Sequence, residues 1–122
     1  MNVLLWILQG LLALAFLIHG LIMLKPPAQT ESGMSYVHDL PTGLRRFIGV
    51  VEILGGIGLV LPALVNVLPI LTPIAATGLV IIMVLAAMYH VPRREYPNIV
   101  LNLVLAALAL FVAYGRFVLI PF

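Results

Sequence analysis

Almost uninterrupted apolar residues fill four stretches of the chain, over residues 3–24, 44–65, 69–90 and 97–120. Each stretch is close to the roughly 20 residues that a helix needs to cross about 30 Å of hydrocarbon. None of them alternates apolar and polar residues with a period of two, which a membrane-spanning barrel requires. The pattern predicts an all-α integral membrane protein whose residues 1–122 form one bundle of four transmembrane helices.

Composition supports this prediction and excludes several classes of function. Hydrophobic residues make up 64% of the chain and charged residues 8%, whereas a soluble domain is about half apolar and about a quarter charged. Cysteine is absent, which excludes disulfides, thiolate metal sites and dithiol redox chemistry. A net charge of +2, spread between apolar segments, predicts no nucleic-acid partner. The first segment has no basic residue before its apolar run, so we expect a retained helix rather than a cleaved signal peptide.

The basic residues predict how the helices are oriented across the membrane. One side of the predicted bundle is flanked by Lys25, Arg45, Arg46, Arg93 and Arg94, and the other side by Arg116. Because positively charged residues in short loops stay in the cytoplasm, we expect a cytoplasmic loop over residues 25–43. Both termini are then expected on the opposite side of the membrane.

Four polar residues within the predicted helices are the candidates for chemistry: His19, Glu52, His90 and Asn102. A polar residue inside a membrane helix is costly and is a functional hypothesis by default. His19 and Glu52 each lie about 9 Å below the cytoplasmic helix ends and Asn102 about 8 Å, at 1.5 Å per residue. His90 lies close to the surface on the same side. All four therefore share one leaflet of the membrane.

Helical spacing predicts which faces meet inside the bundle. Each of four stripes repeats every three or four residues and carries one of the polar candidates, and small residues on two of them permit close helix packing. The stripes are Leu12, Phe16, His19 and Met23; Arg45, Gly49, Glu52, Gly56 and Ala63; Ala76, Met83, Ala87 and His90; and Asn102, Ala106, Ala109, Ala113 and Arg116. Turning the stripes inward predicts a polar pocket that opens toward the cytoplasm.

Within this pocket, Glu52, His19 and His90 are the predicted catalytic residues, and Asn102, Arg46, Met83 and Phe16 the predicted ligand contacts. Each has a structural alternative: a permanently protonated carboxyl for Glu52, helix-packing hydrogen bonds for His19 and Asn102, and an interfacial cap for His90. Arg116 is interpreted as an anchor at the outer interface, and His38 and Asp39 as solvated loop residues. No close His/His or His/Glu spacing predicts a metal site. Haem between His19 and His90 stays open, although their different depths disfavour it.

Three stretches carry a family resemblance. They are the run from Arg46 to Pro62, the run from Pro73 to Met83 with the following Tyr89-His90, and the run from Asn102 to Arg116. Over residues 44–117 the chain resembles the DoxX-like family of small membrane proteins. The resemblance implies a four-helix bundle in a bacterial inner membrane, with Glu52, His90, Asn102 and Arg116 at family-like positions. It also implies a link to respiratory redox chemistry, since the founding member is similar to a subunit of thiosulfate:quinone oxidoreductase. The long loop at residues 25–43 departs from compact members of the family.

Four functions compete at this point. The first is an accessory protein that holds a quinone-like or other lipophilic ligand, because a carboxylate and an imidazole can hydrogen-bond a carbonyl and exchange its protons. The second is a stand-alone membrane enzyme that uses Glu52 and a histidine for an isomerisation or ring opening. The third is transport, as in small multidrug exporters, which have a similar length and four helices. Their essential carboxylate lies in the first helix, and the first helix of this chain has none. The fourth is a structural subunit. A homo-oligomer or a larger membrane complex is compatible with each.

Overall fold

The computed structural model describes residues 1–25 and 40–122, and within them the protein is an all-α bundle. The helices are α1 (Asn2–Leu24), α2 (Thr42–Leu64), α3 (Leu71–His90) and α4 (Tyr96–Tyr114). A π-helical turn, Gly115–Leu119, continues α4, so that the last span runs from Tyr96 to Leu119. All four spans are long and apolar enough to cross a membrane, as the hydrophobic pattern predicts.

The helix bounds differ from the predicted segments by no more than two residues. Two helix starts differ by two residues: α2 begins at Thr42 instead of Leu44, and α3 at Leu71 instead of Pro69. The preceding Asn66 and Leu68 have positive φ values of 55° and 47°, so the chain is still turning at this point. Most of the predicted loop, including His38 and Asp39, lies outside the described residues.

The bundle is built from two helix pairs. α1 packs mainly on α2, α3 mainly on α4, and contacts between α2 and α3 join the pairs. Between α1 and α2 the backbones touch at Gly20 and Gly49. A Cβ atom added to either glycine would lie 2.8 Å from the carbonyl oxygen of the other. Small residues allow such close approach of membrane helices, and this crossing positions the side chains next to it.

The distribution of apolar and polar residues is that of a membrane protein. Large apolar side chains such as Leu11, Leu54, Leu85 and Leu103 are exposed on the outside of the bundle. The interior contains small residues, among them five alanines that form one cluster with Leu12, Phe16 and Leu79. It also buries polar or charged side chains: Gln9, Arg45, Glu52, Thr72, His90, Asn102 and Arg116. A bilayer solvates the apolar exterior, while the polar groups must find partners inside.

Pro62 shows how one such partner is supplied. Because proline has no N–H, the carbonyl of Gly58 loses its donor in the α2 ladder. The Thr72 hydroxyl of α3 lies 3.2 Å from this carbonyl oxygen and donates to it. The hydrogen bond fastens the start of α3 to α2 near the proline.

Candidate functional site

A cavity of about 270 Å³ lies between the helices at one end of the bundle. We call this the histidine end; it contains the C-terminal ends of α1 and α3 and the N-terminal ends of α2 and α4. Five side chains bring polar atoms to the cavity: His19, Glu52, Tyr89, His90 and Asn102. The rest of the wall is apolar, formed by Met23, Leu40, Leu44, Phe47, Ile48, Ile82, Met83, Leu85 and Ala86. Such a cleft, mostly apolar with a few convergent polar groups, is the usual form of a small-molecule site.

His19 and Glu52 form a hydrogen-bonded pair across the α1–α2 crossing. His19 Nδ1 lies 2.6 Å from Glu52 Oε2, and the Glu52 side chain is only 1% exposed whereas that of His19 is 29% exposed. The Gly20–Gly49 contact is one residue from His19 and three from Glu52, so it holds the two side chains within bonding distance. A carboxyl bonded to an imidazole can accept and release a proton.

His90, which lines the cavity, belongs to a second polar group. Its Nδ1 lies 2.9 Å from Glu95 Oε1, and Arg93 Nε donates to the same oxygen at 2.7 Å. Burial opposes the charged form of Glu95, but the hydrogen bonds from His90 and Arg93 hold the pKa of this carboxyl below its ordinary value. Tyr89 presents its ring edge-on to His90 and lies under the Arg93 guanidinium. The link between α3 and α4 is thereby tied to the cavity wall.

Asn102 is the one contribution of α4 to the cavity wall. Its side chain is 9% exposed, and its Nδ2 is buried without a hydrogen-bond acceptor among residues 1–25 and 40–122. A buried amide nitrogen without a partner loses its hydration and gains nothing in return. Such a donor next to a cavity can be satisfied by an acceptor on a bound molecule.

Arg45, rather than the predicted ligand contact Arg46, points into the bundle. Arg45 is 2% exposed and donates through Nη1 to the carbonyls of Met23 and Lys25, which fastens the end of α1 to the start of α2. Arg46 is exposed and does not border the cavity, because successive residues of a helix are turned by about 100°.

The structure brings five of the seven predicted site residues to the cavity: His19, Glu52, Met83, His90 and Asn102. The other two are Arg46, on the outer surface, and Phe16, which is 1% exposed in the central apolar core. Phe16 lies on the inward stripe as expected, but one turn deeper than the cavity extends.

Polar residues also meet at the opposite end of the bundle, which we call the arginine end. Arg116, interpreted from the sequence as an anchor at the outer interface, is 2% exposed, so its side chain lies inside the bundle. Its Nε donates to Gln9 Oε1 at 2.7 Å, and Gln9 Nε2 donates to the Leu59 carbonyl of α2 at 2.7 Å. The chain of hydrogen bonds joins α1, α2 and the π-helical turn.

Sequence reasoning missed Gln9, which is 0% exposed. The depth argument used for the histidine end would have found it. Gln9 lies near the start of the first segment and Arg116 near the end of the fourth, so in an up-and-down bundle they share one depth.

Comparison with known proteins gives one positive finding. The family model of the DoxX-like family matches residues 7–112, which is most of the chain and includes all five cavity-lining candidates. No curated protein and no solved structure gives a match.

Proposed function

We propose that this chain, which belongs to the DoxX-like family of membrane proteins, binds a quinone-like or other lipophilic carbonyl compound at the histidine end. In this proposal it acts as a redox-associated or accessory subunit. A ligand of this kind needs apolar walls, a hydrogen-bond donor for its carbonyl oxygen and a group that exchanges protons. The cavity has residues suited to each of these tasks.

The observation that carries the proposal is the unpartnered Asn102 amide. Asn102 lines the cavity, and no residue in the described ranges accepts a hydrogen bond from its buried Nδ2. A ligand carbonyl can accept one of them. The same amide facing only apolar side chains would be a net cost to the fold.

The His19–Glu52 pair would serve the proton chemistry of such a ligand. Reduction of a quinone to a quinol takes up two electrons and two protons. The pair lies in the same cavity, with 2.6 Å between His19 Nδ1 and Glu52 Oε2, and can pass protons to or from a ligand oxygen. The electrons would come from a partner protein that carries a redox centre.

The shape of the cavity favours a compact ring system that arrives from the lipid. Its volume of about 270 Å³ is close to the lower end of small-molecule sites, about 300 Å³, so a long tail would extend outside. Three of the lining residues, Leu44, Phe47 and Leu85, are 47%, 62% and 55% exposed on α2 and α3. The cavity therefore reaches the outer surface between these helices, where acyl chains would surround the bundle.

We also propose that the protein lies in the inner membrane of a bacterial cell, with the histidine end facing the cytoplasm. The exposed Lys25, Arg46, Arg93 and Arg94 lie at this end, whereas the arginine end has one buried arginine. The positive-inside rule then directs both termini to the other side.

A second candidate function rests on the same pair. Glu52 and His19 could act as acid and base on a small apolar substrate, in an isomerisation or a ring opening that needs no electron donor. The short Glu52–His19 contact in a largely apolar cavity favours this alternative. Turnover by the isolated chain would distinguish it from ligand binding alone.

Calorimetric titration of the detergent-purified protein with decylubiquinone tests the proposal. Asn102→Leu should weaken binding about tenfold or more, since one hydrogen bond to the carbonyl is lost and leucine cannot donate. The matched control is Asn98→Leu, one helical turn earlier on α4 and outside the cavity wall, which should bind like the wild type. Equal affinity of all three proteins, or no binding by the wild type, would contradict the proposal.

A further inference from the structure

Arg116 retains unused hydrogen-bonding capacity at the arginine end. A guanidinium has five N–H donors. Three are used, by Gln9 Oε1 on Nε and by Asn2 Oδ1 at 2.8 Å and the Ile120 carbonyl at 3.1 Å on Nη1. Nη2 is buried and has no acceptor within the described part of the chain. Both unused donors are therefore on the same nitrogen.

The positive charge of Arg116 has only neutral partners among these contacts. The sequence contains four acidic residues. Glu52 and Glu95 lie at the histidine end, and Glu31 and Asp39 are outside the described residues. An arginine stays protonated under all ordinary conditions, and a buried cation without an anion is unfavourable. Among the described residues, no acidic side chain balances this charge, and no acceptor satisfies Nη2.

Aromatic rings shield the faces of the guanidinium and leave its edge for hydrogen bonds. The Phe122 ring lies 4.0 Å from the guanidinium carbon and the Trp6 ring 5.6 Å from it. Phe122 is 47% exposed and follows the π-helical turn, so the guanidinium lies beside a ring at the surface of the bundle. Arg116 lies three residues from the end of the last span, where lipid headgroups meet a transmembrane helix.

We propose that Arg116 binds the phosphate of an anionic phospholipid at the arginine end. A phosphodiester carries one negative charge to balance the guanidinium. One or two of its oxygens can accept hydrogen bonds from the Nη2 donors, in the charge-assisted geometry that favours arginine over lysine. The acyl chains would lie on the exposed apolar outer surface of α1 and α4. A free phosphate ion offers the same headgroup chemistry without those chains.

Native mass spectrometry and thermal unfolding of the protein in dodecyl maltoside test this. The additives are phosphatidylglycerol, a neutral glucosyl diacylglycerol with the same acyl chains, and inorganic phosphate. The wild type should retain phosphatidylglycerol at least about tenfold better than the glycolipid and unfold at a higher temperature with it. Arg116→Gln should lose this preference, whereas Arg94→Gln, an exposed arginine at the histidine end, should keep it.

Arg116→Lys provides a test if the glutamine variant fails to fold. It keeps the charge but has no forked donor, so it should bind phosphatidylglycerol more weakly than the wild type. Equal retention of both lipids by the wild type, or an undiminished preference in Arg116→Gln or Arg116→Lys, would overturn the proposal. If inorganic phosphate raises the unfolding temperature as much as phosphatidylglycerol does, the site binds free phosphate, and the proposal of a phospholipid is wrong.

Discussion

The two ends of the bundle bury similar kinds of polar side chain but arrange them differently. At the arginine end, Gln9 and Arg116 bond each other and connect three elements of the bundle. At the histidine end, Glu52, His90 and Asn102 border a cavity. The comparison indicates that a buried polar residue is not by itself a sign of a ligand site in a membrane protein. What distinguishes the ends is that the polar residues of the histidine end line a cavity, whereas those of the arginine end bond one another and leave only Arg116 Nη2 without an acceptor in the described residues.

The largest effect is expected for Gln9→Leu, which tests whether the hydrogen bonds at the arginine end hold the bundle together. Leucine would leave Arg116 Nε without its acceptor and the Leu59 carbonyl without the donor from Gln9, and loss of a buried hydrogen bond to a charged group costs about 3 kcal/mol. We expect the free energy of unfolding in detergent to fall by about this amount. An unfolding curve that superimposes on that of the wild type would show that the arginine end is not a structural lock.

The close crossing of α1 and α2 is tested by Gly49→Ala. The added Cβ would lie 2.8 Å from the Gly20 carbonyl oxygen and 3.1 Å from Met23 Cβ. Since a backbone atom cannot yield easily, we expect a loss of about 1–3 kcal/mol in unfolding free energy and weaker decylubiquinone binding, as His19 and Glu52 move apart.

Gly78→Ala is the matched control, because no atom lies within 4 Å of its added Cβ. This variant should be at least as stable as the wild type, since alanine favours the helix. Equal losses at Gly49 and Gly78 would mean that helix propensity or lipid contact, rather than the crossing, decides the outcome.

Asn102→Leu tests whether the buried amide at the histidine end, unlike Gln9 at the arginine end, contributes little to the stability of the fold. Because Nδ2 has no acceptor in the described residues, replacing the amide with an apolar side chain of similar size should leave the free energy of unfolding unchanged or raise it by about 1 kcal/mol. Chemical denaturation in detergent measures this. A loss of 2 kcal/mol or more, of the order seen when a buried bond is broken, would instead make Asn102 a packing residue.

The smallest expected effect is a change in unfolding temperature on replacing Glu95, the partner of His90, and it depends on pH. His90 and Arg93 hold the pKa of Glu95 below its ordinary value, so the ionised carboxylate stabilises the fold above the ordinary pKa. This contribution is lost as the pH falls through the lowered pKa. Glu95→Gln should therefore unfold about 3 °C or less below the wild type at pH 7, with the difference vanishing at low pH. A difference that is constant between pH 7 and pH 3 would contradict the assigned role.

Much of the fold follows from the sequence because the bilayer imposes simple requirements. Length and apolar content determine four spanning helices, and the three-to-four-residue spacing of polar and small residues determines their inward faces. Asn102, Ala106, Ala109, Ala113 and Arg116 were predicted to form one stripe, and all five are buried. The rule works because the exterior of such a bundle must be apolar, which leaves the polar residues to mark the interior.

The details that the sequence did not predict depend on contacts between helices. A difference of one residue decides that Arg45 clamps α1 while Arg46 is exposed. Gln9 is uncharged and does not interrupt its apolar segment, so the hydrophobic pattern does not mark it, and only a comparison of its depth with that of Arg116 indicates that the two side chains meet. The depth of the cavity, which excludes Phe16, depends on how closely the helices approach, and that distance is set by packing.

The most direct test of the central claim is native mass spectrometry of the protein purified in mild detergent from its membrane. The account predicts that the wild type retains one lipophilic carbonyl compound per chain. Both Asn102→Leu and Glu52→Gln should fold normally and lose it, while Asn98→Leu retains it. Retention of the same molecule by all four proteins, or a wild-type spectrum with only bulk phospholipid, would contradict a ligand site at the histidine end.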